Sequence, residues 1–323
     1  MTRRARRLAL GTWNHDYSFL GTPLVDRDRL DRYAAGLVAA VERRGMGHFL
    51  VLRDIDEGPV LDALRDAIGA SRKVEVAFER SFERAAVERR TEADYVSTLK
   101  SSRRRRLNRR QRKLAEAVDG ELDCRYVRCA DGAVETFLEL EASGWKGELG
   151  TAMACDSGST AFFAEMCKWF DQRGRLQMRV MQGNEKAIVM NCNLVAGNAM
   201  FSFKTAYDES FRKYAPGLLL QLDDFSAWHE REREDYMDSC GDPNAQTLNE
   251  FWPDRRTITT VVIGRRGLAA SAARVALQLH YSPAGRRLAA MIRRPSRRLG
   301  VAAGLMAGYQ PILELSGQYA ARM

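Results

Sequence analysis

Three apolar runs separated by Gly-Asn pairs, followed by a Pro-Gly that opens a helix, constrain this chain's fold more than any other feature. Leu176–Gln182, Ala187–Val195 and Ala199–Thr205 each have strand length, and Gly183-Asn184 and Gly197-Asn198 between them are hairpin-turn material. A meander of three strands is expected. Its last strand runs through Phe203-Lys204-Thr205-Ala206-Tyr207-Asp208 into a polar loop and then Pro216-Gly217-Leu218-Leu219-Leu220. Such a strand–loop–helix junction presents backbone N–H groups and a positive helix end to an anion. Transfer from a phosphate-bearing donor is the chemistry this suggests.

Around the meander, helical and strand periodicities are mixed. Asp26–Val41 carries Leu30, Tyr33, Leu37, Val38 and Val41 on one side, as an amphipathic helix does. A strand at Gly47–Arg53, a helix at Pro59–Ile68 and a strand at Val74–Val87 complete an α-β-α-β first third. Glu92–Ala117 is rich in helix formers, with a restart at Ser101-Ser102, which are good N-cap types. A strand at Asp123–Arg128 and helices at Ala133–Ser143 and Ser159–Arg173 precede the meander. A helix at Pro216–His229 and strands at Asp235–Ser239 and Thr257–Ile263 follow it. This order predicts an α/β chain of the α+β kind, built on a mixed sheet.

The net charge of +9 over 323 residues is concentrated in two places. Arg103, Arg104, Arg105, Arg106, Arg109, Arg110 and Arg112 fall in one run without an acid, and Arg255 to Ile312 again lacks Asp and Glu. The six cysteines form no CxxC pair and there are only four histidines, so no metal site is expected. No apolar run reaches spanning length, and the basic start lacks the apolar core of a leader, so a cytoplasmic location is expected.

Taken together, these residues resemble the GNAT superfamily of acyltransferases, in particular its cellulose-biosynthesis-type and Fem-related branch. The resemblance runs from about Leu20 to Ile263. It is carried by the basic helix Ser102–Arg110, by Glu141-Ala142-Ser143-Gly144-Trp145-Lys146-Gly147 with Gly150-Thr151-Ala152, and by Phe203–Gly217. Met237-Asp238-Ser239-Cys240, Phe251-Trp252 and Arg255-Arg256 complete it. It implies tandem GNAT-like halves: an N-terminal half over 1–98, an arginine-rich linking helix over 99–118, a catalytic domain over 119–263 and a basic helical tail over 264–323. It also implies a donor such as acyl-CoA (acetyl-CoA first), with pantetheine along Ala199–Thr205 or Ala187–Val195. The pyrophosphate loop would then be Arg212, Lys213, Tyr214, Gly217 and Leu218. One departure stands out: Pro216 has no N–H, so one anion donor is missing there. Acyl carrier protein and aminoacyl-tRNA therefore stay open as donors.

Acyl transfer needs a deprotonated acceptor, donors for an oxyanion and a departing thiolate. No histidine lies in these segments, so the base is a carboxylate or a relayed water. Asp208 is the candidate base or acceptor-orienting group, Lys204 stabilises negative charge or positions the carboxylate, and Tyr207 is a hydrogen-bond donor. The plainer reading makes Lys204 and Asp208 a structural ion pair. Asp238 is a second catalytic candidate, and Ser239, Trp145 and Lys146 are candidates for acceptor binding. Trp145 also reads as a half-buried hydrophobe, and Asp238–Cys240 as a capped strand end. The arginine run reads as a solvated linker helix that needs no partner, as a bridge between the halves, or as an anion site for tRNA, an acidic acyl-carrier surface or polysaccharide phosphate. It lacks the interleaved aromatics of a single-strand platform. A nucleic-acid partner is therefore disfavoured. The tail reads as packed helices or as a surface for an anionic membrane. The expected activity is acyl transfer from acyl-CoA to an amine or hydroxyl on a small molecule, sugar or envelope polysaccharide. The alternatives are Fem-like transfer from aminoacyl-tRNA and a non-catalytic anion-binding or membrane-peripheral module.

Overall fold

The computed structural model describes residues 9–12, 15, 17–43, 49–90 and 95–281. Its elements follow in the order β1 (Ala9–Gly11), α1 (Leu30–Glu42), β2 (Phe49–Asp56), α2 (Pro59–Ala70), β3 (Val74–Glu88), α3 (Ser101–Ala117), β4 (Asp123–Val127), α4 (Ala133–Ala142), α5 (Trp145–Glu148) and α6 (Ser157–Asp171). Then come β5 (Leu176–Gly183), β6 (Lys186–Ala196), β7 (Ala199–Tyr207), α7 (Pro216–Arg231), β8 (Tyr236–Asp238), α8 (Gln246–Phe251), β9 (Asp254–Arg265) and α9 (Leu268–Tyr281). The chain divides into two units, Met1–Glu83 with Thr257–Met323, and Arg84–Arg256. The sequence places boundaries at 98, 118 and 263. The residues of β9 from Thr257 onward fall instead with the N-terminal unit, because β9 pairs antiparallel with β2, Leu50 opposite Ile263.

In that first unit β1 lies parallel to β2, and β9 stands between β2 and β3. Ala34, Val38 and Val41 of α1 and Leu61, Leu64 and Ile68 of α2 recur at helical spacing. They bury against Leu52, Ile55, Val74, Val261 and Ile263. Of the expected basic tail, α9 is present, and its Arg274 pairs with Glu75 and donates to the carbonyl of Ala77. Residues 282–323, with Leu288 and Ile292, lie outside the described residues.

The second unit holds the mixed sheet that the sequence predicts. Its order is the end of β3, then β8, β7, β6, β5 and β4. β7 and β8 run parallel, and the other pairs are antiparallel. The β5–β6 turn places Asn184 and Glu185 at positive φ (50° and 61°), the backbone of a tight hairpin. Successive residues of a strand face opposite sides of the sheet, and β6 shows which helices lie where. Cys192 meets Cys167 of α6, while Asn191 and Asn193 bond to Asp224 of α7. So α6 covers one face and α7 the other. On the α6 side Phe163 packs between Phe137 of α4 and Phe203 of β7. On the α7 side Leu218, Leu222, Phe225 and Trp228 share a core with Leu107 and Leu114 of α3 and with Trp252.

Candidate active site

β7 is the strand on which the candidate residues converge, and its two edges differ. Toward β6 the register slips between Cys192 and Asn193: Cys192 is opposite Lys204 and Asn193 opposite Ser202, so Phe203 is the extra residue of a bulge. Toward β8 the pairing covers only Ala199–Phe201, ending at Phe201 opposite Asp238, whereas β7 continues to Tyr207. The two parallel strands therefore stop pairing halfway along β7. Beyond that point α7 begins, close enough that a Cβ on Gly217 would lie 3.3 Å from Cγ2 of Thr205.

Lys204 does not meet Asp208. Its Nζ lies 2.6 Å from Oε1 of Glu141, and the Nζ of Lys146 lies 3.1 Å from the same oxygen. The other oxygen, Oε2, accepts the backbone N–H of Met153 at 2.9 Å. Burial works against the charge on Glu141, but Lys204, Lys146 and the Met153 N–H outweigh it and hold the carboxyl below its ordinary range. Glu141 thus ties two sequence stretches, one around Trp145 and one around Lys204, into one site. Gly144 adds a second tie, because a Cβ there would lie 2.8 Å from Cγ of Glu209. A Cβ on Gly147 would collide with the carbonyl oxygen of Ala142, so only glycine lets α5 close against the end of α4. Trp145 stays 46% exposed on that step, with the Lys146 ammonium 6.0 Å from its ring centre.

Asp208 is committed elsewhere. It accepts the N–H of Ser210, capping the helical turn Glu209–Tyr214, and it pairs with Lys186 at 3.1 Å. Burial opposes its charge, but the Ser210 and Lys186 hydrogen bonds prevail and keep its pKa low. A carboxylate so engaged is a poor general base, and the expected Lys204–Asp208 juxtaposition is corrected to Lys204–Glu141. Tyr207 is half-buried, and burial followed by Glu209 raises its pKa, so its phenol stays protonated. Asp238 is fully buried and accepts the Cys240 N–H at 2.8 Å, with Arg84 and Arg256 each at 3.5 Å. That makes it an anchor for the turn after β8, where Cys240 has φ 51°. Ser239 donates its N–H to Ala85, and its Oγ accepts from Gly241. Burial, then Asp238, pushes the Cys240 thiol up.

The first turn of α7 is only partly what the sequence reading expected. Arg212 and Lys213 are exposed, while Tyr214 packs at the rim of the core. Leu218 is a core residue, and its N–H, like that of Leu219, goes to the carbonyl of Ala215. With Pro216 lacking an N–H, Gly217 carries the one first-turn N–H without a partner among the described residues.

Under α7 lies a buried polar network that sequence reasoning missed. Asp224 accepts hydrogen bonds from Arg179 at 2.9 Å, Asn191 at 2.8 Å and Asn193 at 3.1 Å. Asn191 in turn accepts the hydroxyl of Thr205 at 2.7 Å. Burial raises the Asp224 pKa, and Arg179 and the two amides offset only part of that. Asn at alternate positions of an otherwise apolar strand was the available signal. Among the described residues no group of three or more His, Cys, Asp or Glu is placed to hold a metal ion, and no helix is long and apolar enough to cross a membrane.

Residues 101–245 match the family described as an acetyltransferase (GNAT) domain. Among solved structures it is similar to the C-terminal domain (DUF2156) of a putative lysylphosphatidylglycerol synthetase from Agrobacterium fabrum. That likeness is 13% in identity with a TM-score of 0.51, over 81% of each chain. It is also similar to FemX, at 9% identity and a TM-score of 0.50, over 78% of this chain and 79% of that one. At such identities the likeness shows a shared fold. No curated protein sequence matches it significantly.

Proposed function

We propose that this protein moves an acyl group from a pantetheine thioester, acyl-CoA in the first instance, to an amine or hydroxyl acceptor. One observation carries the reading: β7 runs on to Tyr207 after its pairing with β8 has ended at Phe201, and α7 starts beside Thr205. An extended arm bearing amides can lie along a strand that has outrun its neighbour. Its phosphate then reaches the Gly217 N–H and the positive end of α7, with the exposed Arg212 and Lys213 close in sequence.

In this reading the acceptor attacks the thioester carbonyl, a C–N or C–O bond forms and the C–S bond breaks. The acceptor's proton leaves through water and the thiolate regains one. Lys204, held by Glu141, steadies the oxyanion. Tyr207, kept as a phenol, donates a hydrogen bond to the departing sulfur. Trp145 and Lys146 border the acceptor, which we assign to the class of small molecules, sugars or envelope polysaccharide. The N-terminal unit serves as a companion GNAT-like half.

A thermal-shift series with acetyl-CoA, longer acyl-CoAs and charged tRNA tests the donor. An acyl-CoA is expected to raise the Tm, since a ligand of the native state stabilises it. Gly217→Val is expected to abolish that rise. A Tm raised by charged tRNA alone would move the donor to aminoacyl-tRNA, and a Tm moved by none of them would remove acyl-CoA as the donor.

A further inference from the structure

α3 spends only part of its charge on its own fold. Leu107 and Leu114 bury on its inner side, and Arg103 and Arg106 pair with Glu250. Arg104, Arg105, Arg109, Arg112 and Lys113 remain exposed, with no ion-pair partner among the described residues. Arg105, Arg109 and Arg112 fall at i, i+4 and i+7 and share one outward side, stepping about 6 Å and then about 4.5 Å along the axis. Glu116 closes that row. α3 packs on the turn Glu209–Tyr214 and on α7, so the helix that bears the row borders the donor end of the proposed slot.

We propose that this arginine row is the docking surface for an acidic carrier protein that delivers the acyl group on a phosphopantetheine arm. The proposal rests on the thioester reading above and names the source of its donor. A rigid row of guanidinium groups on a helix complements carboxylates spaced along a partner helix, and pairing of that kind chiefly speeds and orients encounter. No aromatic residue lies among the arginines, so bases of a single-stranded RNA would find nothing to stack on. The arm agrees with the slot: phosphopantetheine on a carrier has one phosphodiester, whereas CoA brings a diphosphate and a nucleotide. The chemistry balances as before. The acceptor nitrogen or oxygen bonds to the acyl carbon, the C–S bond breaks, and the carrier leaves with its thiol protonated.

Fluorescence anisotropy on the full-length protein tests this, comparing wild type with Arg105→Glu/Arg109→Glu/Arg112→Glu. The probes are the acyl carrier protein of fatty-acid synthesis bearing a non-hydrolysable acyl-phosphopantetheine, the acyl-pantetheine amide alone, an RNA hairpin and anionic phospholipid vesicles. Wild type is expected to bind the loaded carrier, with affinity falling as salt rises. The triple reversal is expected to weaken it by about tenfold or more while binding the free amide as wild type does. Carrier binding absent from wild type, insensitive to salt, or equal in the two proteins overturns the surface. RNA or vesicles bound more tightly than the carrier, and lost in the triple variant, overturn it as well. Failure of the amide alone to bind either protein overturns the slot, and the delivery route with it.

Discussion

Glu141 holds two ammonium groups on one oxygen from a position 4% exposed, and the cost of removing its charge can be stated. Glu141→Gln keeps the shape but leaves Lys204 and Lys146 facing a neutral amide. A loss of roughly 1–3 kcal/mol is expected at neutral pH, read from urea unfolding, because both lysines retain some access to water. Its folded pKa is lowered, so its contribution is fully present above the unfolded carboxylate value of about 4.3 and disappears as pH falls through the folded value. The gap between wild type and variant should therefore close in acid and stay open at pH 7. A gap independent of pH would remove Glu141's charge from the account. Asp224 has the opposite sign. Its raised pKa subtracts stability as pH climbs from the ordinary aspartate range toward the folded value.

Among the elements, α3 separates packing from charge along a single helix. Leu114→Ala is expected to cost about 2–5 kcal/mol, seen as a lowered Tm, since the side chain is fully buried in the α7 core. Arg109→Ser should stay within about 0.5 kcal/mol of wild type, because the side chain is exposed and unpaired among the described residues. The extents of α3, α7 and the three-stranded meander were legible because helical period, Gly-Asn turns and Pro216 each act locally. The partnership at the site was not. Lys204 and Asp208 are neighbours in the chain, but a strand residue facing α4 and a residue past the strand's end point to different partners. Glu141 follows Phe137 by one turn on the buried stripe of α4, so an acid at an apolar position was the readable sign of it. Where β7 and β8 stop pairing leaves no mark in either strand's pattern, since it depends on the turn that Asp238 anchors.

Across the whole molecule, β3 and β9 each run from one compact unit into the other, and the matched family segment 101–245 includes neither strand. It omits Ala86–Glu88, the antiparallel partners of β8, and also Phe251 and Trp252, which are buried in the α7 core. A fragment of residues 101–245 is expected to unfold broadly in urea, with a weak near-ultraviolet dichroism signal. The fragment 84–256 should unfold in one steep step. Equal steepness in the two would show that β3 and α8 add nothing to this unit.

The cysteines are graded by depth. Cys155 is exposed, Cys124 and Cys129 are partly covered with thiols pushed up to about 12, and Cys167 faces Cys192 between α6 and the sheet with sulfurs 4.0 Å apart. Alkylation needs the thiolate and a path to it. Iodoacetamide should therefore tag Cys155 within its ordinary reaction time, while the pair beneath α6 acquires mass only at the rate at which that layer lifts from the strands. The chain carries its own clock for opening, readable peptide by peptide without adding a single label site.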